Sequence, residues 1–191
     1  MVPDELLIDV KKLCGDCFIV AMQSRLEDRN HVEIFTDSGF WLHHVIFFNT
    51  DRPDLTCSAM VGERFYGGGN TKATRRWNPN DRWGYRVHER DLWVLFLNLM
   101  NDGTEDIEAV VRADFEWVFA SSAEGRRYRE VRPIWLALDD FCGDSGVPVP
   151  SLTKPFSQKT PTWISTVEGP LVDVAAHTHD GGLDMVTYRN G

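Results

Sequence analysis

The stretch Phe40-Trp41-Leu42-His43-His44-Val45-Ile46-Phe47-Phe48 constrains the fold more than any other part of the chain. It reads as a strand that is apolar at both parities. Phe40, Leu42, Ile46 and Phe48 lie on one side and Trp41, Val45 and Phe47 on the other, which predicts burial on both faces within a sandwich. Two adjacent histidines interrupt it, and an oily strand cannot satisfy imidazole nitrogens unless a partner or a metal is supplied. Neighbouring strand residues point to opposite faces, so His43 and His44 can address one point only where the backbone bends, bulges or ends. A shared metal would be a reason for such a distortion.

A second histidine motif, His177-Thr178-His179-Asp180, stands near the other end. His177 and His179 are two apart, so on a strand both rings project from one face as a two-nitrogen clamp. Four of the six histidines fall in these two motifs, which raises metal ligation above chance placement. Imidazole suits copper, zinc, iron and nickel, so ligand type alone does not select the metal. The competing reading has the histidines bonded to one another and to backbone carbonyls. Asp180 reads equally as an acceptor orienting a histidine and as part of an Asp-Gly-Gly turn.

The remaining pattern is one of many short strands. Residues 5–13 form a peripheral helix or arm. Strands are predicted at 18–23, at 83–87 and 91–100 joined by a turn at 88–90, at 107–118, at 133–138, and at 163–167 and 171–176. His88 falls in a polar turn and reads as solvated. Gly67-Gly68-Gly69 lacks the helix start and lysine of a phosphate loop and reads as a tight turn. Residues 146–162, with Pro148, Pro150, Pro155 and Pro161, read as a linker or crossover. The domain plan is a β-sandwich over 1–145 carrying the His-His pair, that linker, and strands over 163–191 carrying the His-x-His motif.

With 42% hydrophobic and 12% aromatic residues the chain of 191 can bury a substantial core. A formal net charge of -9 and no basic stripe argue against nucleic acid or anionic membrane as partner. No apolar run is long enough to span a bilayer. The N-terminus lacks the features of a secretory signal, yet Cys14, Cys17, Cys57 and Cys142 form an even set consistent with two disulfides in any of three pairings, which points to a secreted protein.

The two histidine motifs, in this order, resemble the copper-binding signature of the peptidylglycine α-hydroxylating monooxygenase superfamily. A broader resemblance, from Cys14 onwards, is to fungal extracellular proteins of that superfamily, related to the stress up-regulated nodulin-type domain. It is carried by Trp41-Leu42-His43-His44-Val45, Gly62-Glu63-Arg64-Phe65, Trp83-Gly84-Tyr85, Leu99-Met100-Asn101, Trp135-Leu136, Cys142-Gly143-Asp144-Ser145 and His177-Thr178-His179-Asp180-Gly181-Gly182. The resemblance implies an all-β, antiparallel jelly-roll sandwich followed by the start of a second, truncated sandwich domain. It also implies copper as cofactor, with the His-His pair serving one site and the His-x-His pair another, and oxygen-dependent hydroxylation of a small-molecule or peptide substrate. Asn98 stands where the enzymes carry a third histidine. Met100, of the same parity, becomes the candidate third ligand beside His43 and His44, and Met185 is the sole methionine after His179. These departures favour the rival, a secreted protein that binds metal without catalysis or has a purely structural disulfide-bonded sandwich.

Overall fold

A computed structural model describes residues 4–69, 74–77, 82–138, 142, 150, 153–179 and 181–189. Its strands are β1 (Glu5–Val10), β2 (Cys17–Glu27), β3 (Phe40–Asn49), β4 (Glu63–Gly68), β5 (Arg75–Arg76), β6 (Trp83–Val87), β7 (Trp93–Asn101), β8 (Val110–Phe119) and β9 (Arg129–Glu130). They build two sheets: a four-stranded one in the order β1-β7-β3-β4, and a five-stranded one in the order β5-β2-β6-β9 with β8 also on β2. All pairings are antiparallel except the short β6–β9 contact. The chain is therefore an all-β sandwich.

The inner faces meet in one apolar core that includes Ile19, Met22 and Leu26 of β2, Phe40, Leu42, Val45 and Phe47 of β3, and Phe65, Tyr85 and Trp93. Phe65 stacks on Tyr85 at 4.6 Å between ring centres, and Phe47 meets Phe115 edge to face at 5.4 Å, the offset and T-shaped geometries that aromatic quadrupoles prefer. Polar pins cross the same interface. The buried Tyr66 hydroxyl donates to Ser24 Oγ at 2.9 Å, and Tyr85 donates to Glu63 at 2.8 Å. The buried Arg64–Asp54 pair is bidentate, with contacts of 2.8 and 3.1 Å. Two disulfides, Cys14–Cys17 and Cys57–Cys142, close the set of four cysteines.

Several local readings need correction. The N-terminal segment is neither helix nor loose arm, but a strand whose backbone pairs with β7. β6 and β7 are not a hairpin: after Val87 the chain crosses from the five-stranded sheet to the four-stranded one. Residues 133–138, 163–167 and 171–176 belong to no strand, although their apolar content is strand-like, because composition suits a segment to a sheet without supplying the neighbouring edge that its backbone groups need. The glycine triplet is not a turn either. Gly67 and Gly68 end β4, where side chains have no room: a Cβ on Gly67 would enter the Trp135 ring, and one on Gly68 would meet Ser24 Oγ.

Candidate metal centre

The His-His strand resolves its parity conflict with a bulge. Leu42 pairs with Leu99 and His44 with Asn98, so His43 is an extra residue with no partner of its own across the ladder. Phe40, Leu42, Val45 and Phe47 thus all reach the core, while His43 and His44 are half-buried with rings 4.0 Å apart between centres. The simple two-sided assignment of the strand is corrected by that one residue: Val45 and Phe47 share the core face with Phe40 and Leu42.

The segment carrying His177 and His179 runs alongside this pair without joining a sheet, with Arg75 and Asp173 ion-paired at 3.1 Å nearby. His43 Nε2 lies 3.3 Å from His179 Nδ1, His44 Nε2 lies 3.2 Å from His177 Nε2, and His44 Nε2 lies 3.0 Å from His179 Nε2. Ligand nitrogens of His43, His44 and His179 all fall within 4.8 Å of one another. A metal bound at ~2.0–2.1 Å by imidazoles at tetrahedral to square angles separates their nitrogens by roughly 2.9–3.4 Å, so the two Nε2 contacts of His44, with His177 and with His179, have the spacing of one shared ion, while the His43 contact engages the other ring nitrogen of His179. The donor set fits copper or zinc. Where the resemblance implied two separate sites, the structure brings both motifs to one centre.

The protonation states suit ligation. Burial, reinforced by His43, His177 and His179, holds the His44 imidazole down at about 4, and burial with His179 and His43 lowers that of His177. Both rings are neutral at pH 7 with a lone pair to offer.

The orientation of His43 follows from a chain of donors and acceptors. Asp4, just before β1, is an acceptor only, and the Asn98 amide nitrogen donates to it. The Asn98 carbonyl oxygen is thereby turned to His43 Nδ1, 2.7 Å away, which must carry the proton. His43 Nε2 is left as the free lone pair, aimed at His179.

Gly69 is the other support. It is buried, and a Cβ there would come 2.5 Å from the His43 carbonyl oxygen and 3.6 Å from His177 Cε1. Only a glycine lets the end of β4 pass between the two histidine motifs.

Of the expected site residues, His43, His44, His177 and His179 converge. Met100 stands opposite Trp41, two residues along β7 from the Asn98 that touches His43. Asp180 lies outside the described residues. Asn98 is an orienting partner rather than a vacancy in a ligand set. Asp4 carried no signal in sequence, and Gly69 stood out only as part of a glycine triplet that reads as a turn.

Comparison with known proteins gives two relatives. The chain is 28% identical over 186 residues, 96% of its length, to "Probable copper-dependent oxygenase M1" of Phoma sp., covering 47% of that protein. It is 27% identical over 173 residues, 89% of its length, to "Probable copper-dependent oxygenase clz3" of Cochliobolus lunatus, covering 54% of it. The chain spans about half the length of these curated relatives. No family model matches it, and no solved structure is significantly similar.

Proposed function

We propose that this chain is a copper-binding unit of an oxygen-activating oxidoreductase, with the ion held by His43, His44, His177 and His179. The observation that carries this reading is the convergence of four imidazoles, with ring nitrogens 3.0, 3.2 and 3.3 Å apart, from two motifs more than a hundred residues apart in sequence. The names of the two relatives support copper as the metal and oxygenation as the reaction. Copper bound there supplies one-electron chemistry with dioxygen. The chain's own contribution is to fix His43 through Asn98, to keep His44 and His177 unprotonated, and to hold the two motifs together through the close passage at Gly69. Residues 163–179 and 181–189, unpaired in any sheet, fit the opening of a second β-domain that completes the substrate site, and the two disulfides fit a secreted protein.

The test is a copper titration of metal-stripped protein, followed by electron paramagnetic resonance and by ascorbate-dependent oxygen consumption with candidate substrates. Stoichiometric binding, with nitrogen hyperfine structure altered by His44→Ala and by His177→Ala, is expected. Binding without oxygen consumption under any substrate would favour a non-catalytic copper protein. Absence of binding would leave the histidines as a hydrogen-bonded network.

A further inference from the structure

The N-terminal strand is fastened at one end and loose at the other. At its C-terminal end Val10 packs against the core, Lys12 Nζ donates to the carbonyls of His88 and Glu89 at 2.9 and 2.6 Å, and the Cys14–Cys17 disulfide ties the chain to the start of β2. The stretch before it is an edge strand, paired among the described residues with β7 alone. Leu6, Leu7 and Ile8 are 54, 43 and 76% exposed, so this stretch gains little from apolar burial and is held mainly by its ladder hydrogen bonds. An irregularity separates the two parts. Leu7 pairs with Leu95 and Val10 with Trp93, so Ile8 and Asp9 together oppose Val94, and Asp9 takes φ 59° in the left-handed region. At the loose end, Asp4 accepts from the Asn98 amide, whose oxygen accepts from His43 Nδ1 at 2.7 Å.

We propose that residues 4–8 form a flap, hinged at Asp9, whose closure on β7 and metal binding at the histidine centre reinforce each other. The inference rests on the metal-binding reading above. With the flap closed, Asp4 holds the Asn98 oxygen towards His43, and His43 presents the lone pair of Nε2 to the centre. With the flap open, the Asn98 amide loses the acceptor that orients it and is free to turn its NH2 group to His43 Nδ1. The imidazole then carries its proton on Nε2, with no change of charge, and withdraws that lone pair. Asp4 is thus a positioning residue carried on a movable strand. Linkage is reciprocal: the factor by which the closed flap raises metal affinity is the factor by which bound metal favours closure.

The test uses the full chain, stripped of metal and titrated with Cu(II), with backbone hydrogen exchange of residues 5–8 followed by mass spectrometry with and without saturating Cu(II). Exchange there is expected to slow by about 10- to 100-fold on binding, the worth of a partner that orients a ligating histidine. Leu6→Pro combined with Leu7→Pro breaks the pairing with β7 without touching the centre, and should weaken Cu(II) binding by the same factor. Asp4→Ala should do the same and should abolish the slowing, while adding it to the proline pair should cost nothing further. Copper binding with unchanged exchange of residues 5–8, wild-type affinity in the proline variant, or additive losses in the triple variant would overturn the flap and leave the metal site standing. Absence of copper binding in wild-type protein would overturn both. The wild-type exchange comparison decides the matter even if the proline variant fails to fold.

Discussion

Replacing Asn98 by leucine tests the argument that an amide on β7 determines which nitrogen His43 offers. Asn98→Leu removes the acceptor 2.7 Å from His43 Nδ1 and the donor to Asp4, and alters no other contact of the cluster. His43 is then free to rotate and to carry its proton on Nε2, so ordering the ring becomes part of the cost of binding metal. Losing a partner of this kind lowers metal affinity by about 10- to 100-fold, or roughly 1.4–2.7 kcal/mol. Leucine is tolerated in a half-buried strand position, so the melting temperature of metal-free protein should change little. The assay is calorimetric titration with Cu(II) against a competing chelator, paired with electron paramagnetic resonance. Asn98→Asp combined with Asp4→Asn restores an acceptor for His43 and a donor for that acceptor, and should recover most of the affinity. An unchanged dissociation constant and spectrum in Asn98→Leu would refute the orienting role. Equal losses in the single and double variants would indicate general disturbance of β7.

Other expectations follow from the same contacts. Gly69→Ala should weaken metal binding and lower stability by about 1–3 kcal/mol, because its methyl group would press on the His43 carbonyl 2.5 Å away; calorimetry and urea melts check both. The metal-free protein should lose stability as pH falls from 6.5 to about 4, because the unfolded chain protonates His44 first; His44→Gln should flatten thermal melts across that window. Burial alone would raise the Asp54 carboxyl, but Arg64 and Thr56 overcome it and hold it at about 2, so its contribution is complete above pH 3.8 and disappears towards pH 2. Arg64→Met should cost about 3–5 kcal/mol at neutral pH in denaturant melts by leaving that carboxylate buried and unpaired. Removing both Cys57 and Cys142 opens a loop of sequence separation 85 and should cost roughly 3–5 kcal/mol in the same assay.

Most of the sandwich was legible because its strands bury one side and sit between clear turn signals. Phe18 to Gln23, Trp83 to Val87 and Trp93 to Met100 lie in strands as their β-branched and aromatic content requires. What pattern cannot show is whether a partner edge exists. Ile134 and Leu136, like Ile164, Leu171 and Val174, have strand-like neighbours yet join no sheet and stay exposed, because pairing is decided by the rest of the fold. Gly67 to Gly69 misled for a related reason. A glycine cluster signals that side chains are excluded, and the excluding atoms, Trp135, Ser24 and the His43 carbonyl, are distant in sequence.

The centre itself was half legible, and the bulge explains which half. If β3 were regular, keeping Phe40 and Leu42 in the core would force His44 inward and Val45 and Phe47 outward, burying an imidazole and exposing two large apolar groups. One extra residue at His43 reverses that outcome, since core parity resumes at Val45 and both imidazoles remain off the core face. The adjacency of two histidines in an apolar strand therefore demands a backbone irregularity on sequence grounds alone. The identity of the groups that meet them does not follow from it. The third and fourth nitrogens come from an extended segment that satisfies no strand rule, and the orienting amide comes from the residue that had looked like a missing ligand. Ligand chemistry is local and readable in sequence; the approach of one motif to another depends on which surfaces the core leaves uncovered.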